Sequence, residues 1–164
     1  MTTDADTMYD VLFRAHFRGM LQLATLLGAD DPEDVSQEAF FRLHENTGRL
    51  RDYGAALAYL RVTVCNLSRS RIRHLIVARR HASALAAPQP SSVEQIAALR
   101  EEHREVLAAR HALARRPREV LVLRYWCDLS EADIAETLGV TRGAVKSYAS
   151  RGLAAIEKAL GSSS

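Results

Sequence analysis

Apolar side chains recur every three or four residues along most of the chain, which is the spacing of amphipathic α-helices. The first run predicts a helix from about Thr7 to Leu27 that ends at Gly28. The second predicts a helix from Pro32 to about Asn46, because Asp31 is suited to the N-cap position and proline to the first helical position. The third begins at Ala55 or Ala56 and ends in the basic stretch HLIVARRH.

A change of composition divides the chain after these three helices. Residues 82–92, ASALAAPQPSS, contain two prolines and no charged side chain, which is typical of a linker. We therefore predict two small helical domains, residues 1–81 and 93–164, joined by a flexible linker. The second domain opens with a predicted helix from Val93 to Ala114, and Pro117 starts the next one. The chain shows no strand pattern and no repeat of about 20 to 50 residues, so the predicted fold class is all-α.

The stretch from Leu129 to Ile156, LSEADIAETLGVTRGAVKSYASRGLAAI, has the spacing of a helix-turn-helix. Ser130 followed by Asp133 starts the first helix, and Ala135 is small enough to let a second helix cross it. Gly139 allows the turn, and Thr141 caps the second helix. The predicted outward face of that helix carries cations and hydroxyls suited to phosphates and base edges: Arg142, Lys146, Ser147, Ser150 and Arg151. The alternative is a helical hairpin that only packs.

Charge is unevenly distributed along the chain, although the net charge is only +2. Residues 1–60 hold five basic and ten acidic residues, whereas residues 61–81 hold six arginines and no acidic residue. A protein that binds nucleic acid alone usually carries a broad basic face. The acidic first part and the basic band after it therefore predict two kinds of partner.

Several classes of protein lack support in the sequence. The two cysteines, Cys65 and Cys127, form no C-x-x-C pair, and the six histidines show no ligand spacing, so we expect neither a metal nor a cofactor. No glycine loop for phosphate and no nucleophile–base pairing is present, so we do not expect an enzyme. An apolar run of about 18 residues and a secretory leader are also absent, which predicts a cytoplasmic protein without membrane insertion.

Three segments together resemble the extracytoplasmic-function, or group IV, sigma factors of the sigma-70 family. DPEDVSQEAFFRL (Asp31–Leu43) resembles the helix that binds the clamp helices of RNA polymerase. LRDYGAALAYLRVTVCNLSRSRIRH (Leu50–His74) is similar to the segment that opens and reads the promoter −10 element. REVLVLRYWCDLSEADIAETLGVTRGAVKSYASRGLAAIEKAL (Arg118–Leu160) is similar to the −35-reading domain. The resemblance covers nearly the whole chain.

The resemblance implies roles for individual residues. The positions that face the polymerase clamp are occupied by Asp34, Gln37 and Glu38. The −10 positions comprise Asn66, the arginines Arg69, Arg71 and Arg73 as backbone contacts, and Tyr59, which replaces a tryptophan common in the family. The loop Leu50–Ala56 stands where the family captures an unstacked −10 base. The −35 contacts fall on Lys146, Ser147, Ser150 and Arg151, with Arg151 expected at a guanine edge and Lys146 at phosphate.

The function that this resemblance implies is that of an alternative sigma factor. Its partners would be the RNA polymerase core, through the β′ clamp helices and the β flap, promoter DNA, and an anti-sigma factor that covers the polymerase-binding surfaces. One alternative is a LuxR-type helix-turn-helix regulator that binds operators without polymerase. Such a regulator needs a sensing or dimerising domain, and the first half of the chain shows no pattern for one. Another alternative is a helical interaction protein whose basic residues serve solubility.

Overall fold

A computed structural model of the protein describes residues 4–50, 52–85 and 113–162, without the side chains of residues 83–85. All regular structure within these ranges is helical, so the predicted all-α fold class is confirmed. The chain divides into two compact units, of which the first comprises the residues up to Leu75 together with Glu136–Gly139 and the second the remainder. Most of the predicted linker and nearly all of the helix predicted over Val93–Ala114 lie outside the described residues.

The first unit contains α1 (Asp4–Leu27), α2 (Pro32–Asn46) and, as far as Leu75, the long helix α3 (Tyr53–Leu85). Helices α1 and α2 pack against each other. The core is aliphatic with one large aromatic ring, and its fully enclosed side chains include Leu12, Leu23, Val35, Phe40, Leu43, Leu60 and Val64. Each such side chain contributes about 1.5–3 kcal/mol relative to an exposed one, so burial holds the three helices together.

The predicted end of α1 and start of α2 are confirmed. Gly28 has a φ of 99°, and its N–H donates to the Thr25 carbonyl at 3.1 Å, while the Ala29 N–H donates to the Ala24 carbonyl at 3.0 Å. These two bonds form a Schellman motif, which needs a left-handed residue at the position of Gly28. Asp31 occupies the N-cap position of α2, but its side chain makes no capping hydrogen bond.

Helix α3 is longer than predicted at both ends. It begins at Tyr53 rather than at Ala55 or Ala56, because Asp52 caps it: the Asp52 Oδ1 accepts a hydrogen bond from the Ala55 N–H at 2.7 Å. The second half of the predicted loop Leu50–Ala56 is therefore helical. At the other end α3 continues to Leu85, so the first four residues of the predicted linker are also helical.

The described helical elements after α3 are α4 (Arg115–Leu121), a π-helical turn (Val122–Trp126), α5 (Glu131–Leu138) and α6 (Arg142–Gly161). Helix α4 starts two residues before the predicted Pro117. The buried apolar side chains of these elements include Val120, Leu121, Leu123, Ile134, Leu138 and Val145. Asp128 follows the π-helical turn with a φ of 54°, a left-handed conformation that reverses the chain before α5.

The helix-turn-helix prediction is confirmed by α5, its turn and α6. Gly139 has a φ of 66°, and the Val140 N–H donates to the Ala135 carbonyl at 3.0 Å, which closes a second Schellman motif. The Thr141 hydroxyl accepts from the Ala144 N–H at 3.1 Å and so caps α6. Val145 and Ala135 are buried between the helices. The turn therefore fixes which residues of α6 face outward.

Candidate protein and nucleic-acid interfaces

One face of α2 is acidic and open to solvent, while the opposite face is in the core. Asp34 and Gln37 are exposed and Glu38 is partly exposed, whereas Val35, Ala39 and Leu43 are fully buried. The three residues predicted to bind polymerase therefore lie on the solvent-facing side of the helix. Glu38 is held along the helix by Arg42, whose Nε lies 2.9 Å from the Glu38 Oε1.

The start of α2 borders an open depression of about 470 Å³. Its lining is mostly acidic and consists of Asp30, Asp31, Pro32, Glu33, Asp34 and Gln37. The carboxylates at the first turn are favoured by the positive end of the helix dipole. A concave, negatively charged surface of this kind suits a cationic side chain of a protein partner.

Phe41 lies on the same face of α2 and was missed by the sequence analysis. Its side chain is 59% exposed, in contrast to the neighbouring Phe40, which is 1% exposed. It follows Asp34 by seven residues and Gln37 by four, which is the spacing of one helix stripe. That spacing was visible in the sequence and could have identified it. An exposed aromatic ring beside polar side chains is common at the centre of protein interfaces.

Three of the residues predicted to contact the −10 element share one face of α3. Arg69 and Arg73 follow Asn66 by three and seven residues, so the three side chains lie one above another along the helix. Asn66 and Arg73 are exposed and Arg69 is partly exposed. The Asn66 Oδ1 accepts a hydrogen bond from the Arg69 Nη1 at 3.4 Å, which orients the amide beside the cation. We call Asn66, Arg69 and Arg73 the basic stripe.

Arg71 is not part of the basic stripe. It follows Asn66 by five residues, which turns it by roughly 140° around the helix axis. Its guanidinium instead forms ion pairs with the carboxylates of Asp31 and Asp34, the latter at 3.2 Å. The structure thus joins one predicted DNA contact to a predicted polymerase contact.

Tyr59 is partly buried, and its polar tip is used within the protein. Its hydroxyl oxygen accepts a hydrogen bond from the Asn46 Nδ2 at 3.2 Å, which ties the end of α2 to α3. The ring that the sequence predicted near the −10 element is therefore fixed in position before any ligand binds.

Tyr53 is a second aromatic residue at the start of α3, and the sequence analysis did not assign it a role. It is 41% exposed and forms a hydrogen bond with His16 of α1 through its hydroxyl. Burial lowers the pKa of His16 below its ordinary value, and the nearby positive charge of Arg61 lowers it further. The imidazole is therefore neutral at pH 7 and anchors the segment that precedes the basic stripe.

The recognition helix α6 presents most of its predicted contacts to solvent. Arg142, Lys146, Ser150 and Arg151 are exposed, and Ser147 is partly exposed. Lys146 Nζ lies 3.9 Å from the Glu131 Oε1 of α5, but 72% of the lysine side chain is exposed. At this exposure a phosphate can replace the carboxylate at little cost, since such surface pairs contribute about 0–1 kcal/mol.

A basic depression of about 480 Å³ adjoins Arg151, and the sequence analysis did not identify it. Its lining residues come from the start of α4 and from α6: Leu113, Ala114, Arg115, Arg116, Pro117, Tyr148, Arg151 and Ala155. Below it Glu119 is buried, with one carboxylate oxygen 3.1 Å from the Arg116 Nη1 and the other 3.8 Å from the Arg115 Nε. This buried carboxylate fixes both arginines near the recognition helix.

The described residues form neither a metal-binding cluster nor a membrane-spanning helix. Across 4–50, 52–85 and 113–162, no group of three or more His, Cys, Asp and Glu side chains is placed to hold a metal ion. None of the helices in those ranges is both long and apolar enough to cross a membrane. Cys65 is buried and Cys127 is partly buried, and both are free thiols.

The chain is similar in sequence to known transcription proteins. The family model described as "Sigma-70, region 4" matches residues 103–156, which include α4, α5 and most of α6. The ECF RNA polymerase sigma factor SigM of Mycobacterium tuberculosis is 31% identical over 158 residues, covering 93% of this chain and 77% of the relative. The probable RNA polymerase sigma factor RfaY of Xanthomonas campestris pv. campestris is 33% identical over 139 residues, covering 78% of this chain and 34% of the relative. Nothing in these matches supports the LuxR-type alternative.

Proposed function

Because the chain belongs to the extracytoplasmic-function family of RNA polymerase sigma factors, we propose that its two units divide the work of promoter recognition between them. As an alternative sigma factor it binds core RNA polymerase and directs transcription initiation. The first unit would bind the polymerase clamp and the −10 element, and the second would bind the −35 element. Bond formation during transcription would belong to the polymerase, and the protein would work in the cytoplasm, where that enzyme acts.

One observation supports the assignment in the first unit more than any other. The acidic face of α2 and the basic stripe of α3 are both open to solvent in the same small helical body. Opposite charges on separate faces suit two partners of opposite charge, a cationic surface of the clamp and the DNA backbone. Asp34, Gln37, Glu38 and Phe41 would bind the clamp, while the basic stripe would hold the −10 strand as it opens.

In the second unit α6 would enter the major groove of the −35 element. Arg151 would read a guanine edge, a contact that typically gives about 1–3 kcal/mol of discrimination. Lys146 and Arg142 would contact phosphates, and the two serines would add hydrogen bonds. Arg115 and Arg116 lie beside Arg151 at the basic depression, so they would extend the cationic surface that follows the DNA backbone.

An anti-sigma factor would act by covering these surfaces. Half-exposed apolar and aromatic side chains occur in both units, among them Phe41 in the first and Trp126 in the second. A protein that covers such side chains gains the free energy of their burial, and it blocks the polymerase at the same time. The clamp-binding face of α2 is the surface on which we expect this competition.

The test is reconstituted transcription with purified core polymerase from the source organism on sheared genomic DNA. New discrete transcripts are expected only with the protein present, and their upstream sequences define the two promoter elements. On such a promoter Gln37→Ala should weaken binding to core about tenfold, which corresponds to about 1.4 kcal/mol. Asn66→Ala should leave core binding intact and reduce strand opening. Gln22→Ala, which alters an exposed glutamine of α1, is the matched control and should change neither.

The opposite results would identify another function. Sequence-specific DNA binding by the chain alone, without new transcripts, would indicate a regulator that acts independently of polymerase. Core binding that is unaffected by Gln37→Ala and Phe41→Ala would place the polymerase contact elsewhere on the chain.

A further inference from the structure

Arg71 connects the two functional surfaces of the first unit. It belongs to α3, the helix of the basic stripe, but its guanidinium is paired with Asp31 at the N-cap of α2 and with Asp34 one turn later. The contacts span 40 and 37 residues of sequence. About one third of the Arg71 and Asp31 side chains is exposed, against 65% for Asp34. Arg71 and Asp31 are thus the less exposed part of the cluster, and Asp34 is its more exposed member.

A phosphate contact does not fit this placement of Arg71. Its positive charge is already balanced by two carboxylates, so bringing a phosphate to it adds repulsion from both. The other Asp31 oxygen, Oδ1, is buried and has no hydrogen-bond partner among the described residues. If the Arg71 guanidinium moved to a DNA phosphate, the Asp31 carboxylate would lose its cation, which is unfavourable for a carboxylate with one buried oxygen.

The side chain at the start of α2 is not used to cap its own helix. Asp31 makes no capping hydrogen bond, so its carboxylate is available to a partner outside α2. The Asp31–Arg71 ion pair instead connects the residue before α2 to α3. Because Arg71 pairs with both Asp31 and Asp34, it connects α3 to the first turn of α2 at two points.

We propose that Arg71 is a positioning residue for polymerase binding and not a DNA contact. It holds the first turn of α2 against α3, so that Asp34 is presented to the clamp at a fixed orientation relative to the basic stripe. The inference rests on the proposed role of α2 in binding polymerase. It predicts that substitutions of Arg71 act on core affinity, whereas those of the basic stripe act on promoter DNA.

The experiment measures two quantities for each variant: the Kd for core polymerase without DNA, and the salt dependence of promoter binding by the holoenzyme. Arg71→Gln should weaken core binding about three- to tenfold and leave the salt slope unchanged. Arg71→Lys should keep core affinity within about threefold of the wild type. Arg73→Ala is the matched control on the same helix: it should leave core affinity unchanged and reduce the salt slope by about one.

Asp31→Asn separates positioning from DNA contact, because a carboxylate does not bind phosphate. It should raise the Kd for core polymerase as Arg71→Gln does. The variant that carries both substitutions should bind core no more weakly than the more impaired single variant, because both changes break the same interaction. If Arg71→Gln is too unstable to assay, Asp31→Asn and Arg71→Lys decide the question through the same core Kd. The helical circular dichroism of each variant is recorded to verify folding.

Three outcomes would overturn the inference. Native core affinity together with a reduced salt slope in Arg71→Gln would make Arg71 a phosphate contact. Additive losses in the double variant would mean that Asp31 and Arg71 act separately. If Arg71→Gln and Gln37→Ala both leave core affinity unchanged, the acidic face of α2 does not bind polymerase, and the role of Arg71 fails with it. If Gln37→Ala weakens core binding but Arg71→Gln does not, only the role of Arg71 is refuted.

Discussion

The guanidinium carbon of Arg151 lies 5.7 Å from the centre of the Tyr148 ring, over its face. The two residues are three positions apart on α6, so the contact belongs to a single helix and exists before DNA binds. A cation held over an aromatic ring loses less rotational freedom when it meets a base edge. Tyr148 therefore supports the residue on which −35 recognition is proposed to depend.

Tyr148→Ala should weaken promoter binding by the holoenzyme about two- to fivefold, because an exposed cation–π contact contributes about 0.5–1 kcal/mol. The loss should appear on a promoter with an intact −35 element and vanish on one whose −35 element is scrambled. Tyr148→Phe is the control, since it keeps the ring and should bind as the wild type does. An equal loss in both variants would show that the hydroxyl itself contacts DNA.

Gly152 of α6 is a site where the backbone of one helix closely approaches another. A β-carbon at this position would lie 2.7 Å from the Leu121 Cδ1 and 3.3 Å from the Pro117 Cβ of α4. Overpacking typically costs about 1–3 kcal/mol, and the better helix propensity of alanine returns about 1 kcal/mol. Gly152→Ala should therefore lower the free energy of unfolding by about 1 kcal/mol, measured by urea denaturation.

Gly143→Ala is the matched control for Gly152→Ala in the same helix. No atom lies within 4 Å of the position that its β-carbon would occupy, so only the helix propensity changes. This variant should be about 0.5 kcal/mol more stable than the wild type. If both alanine variants are stabilised equally, Leu121 moves aside freely and the close approach carries no energetic cost.

Ser68 and Ser36 are both buried serines within helices, but only one of their hydroxyls is satisfied. Ser36 Oγ donates to the Pro32 carbonyl at 2.8 Å, whereas Ser68 Oγ has no hydrogen-bond partner in the described part of the chain. Ser68→Ala should raise the free energy of unfolding by about 1 kcal/mol more than Ser36→Ala does. The gain in helix propensity is the same for both substitutions. The difference between the two free energies of unfolding, measured by heat or urea, therefore reports the cost of the unsatisfied Ser68 hydroxyl. Equal changes in the free energy of unfolding for the two variants would contradict an unsatisfied hydroxyl at Ser68.

The parts of the fold that the sequence predicted well depend on short-range signals. The turn of the helix-turn-helix depends on Gly139 and Thr141, and the hydrogen bonds formed there join residues no more than five positions apart. The end of α1 at Gly28 is specified in the same way. The early start of α3 was missed although Asp52 is a good N-cap residue, because the apolar period that marks the helix begins only with Ala56.

The parts that sequence reasoning missed depend on contacts between distant segments. Asp31 was assigned correctly to the N-cap, but its carboxylate is directed to Arg71, 40 residues later. Helical spacing already sets Arg71 apart from Arg69 and Arg73, but only the packing of α3 near the start of α2 shows that its partners are Asp31 and Asp34. The exposure of Phe41 beside the buried Phe40 is likewise a consequence of packing. Residue type therefore identified the candidate binding side chains, whereas tertiary contacts determine which of them face solvent and which are paired within the protein.

His16 should make stability depend on pH in a defined direction. Burial, and then the charge of Arg61, lower the pKa of His16 below its ordinary value of 6.5, so the unfolded chain binds a proton at this residue more readily than the folded one. The free energy of unfolding should therefore fall as the pH drops through about 6.5 and level off below the lowered pKa of the folded state. In urea denaturation between about pH 7.5 and pH 5.5, His16→Gln should show a weaker fall than the wild type. His81→Gln, which alters an exposed histidine of α3, is the control and should retain the pH profile of the wild type. A profile of His16→Gln that runs parallel to that of the wild type would mean that another group binds the proton.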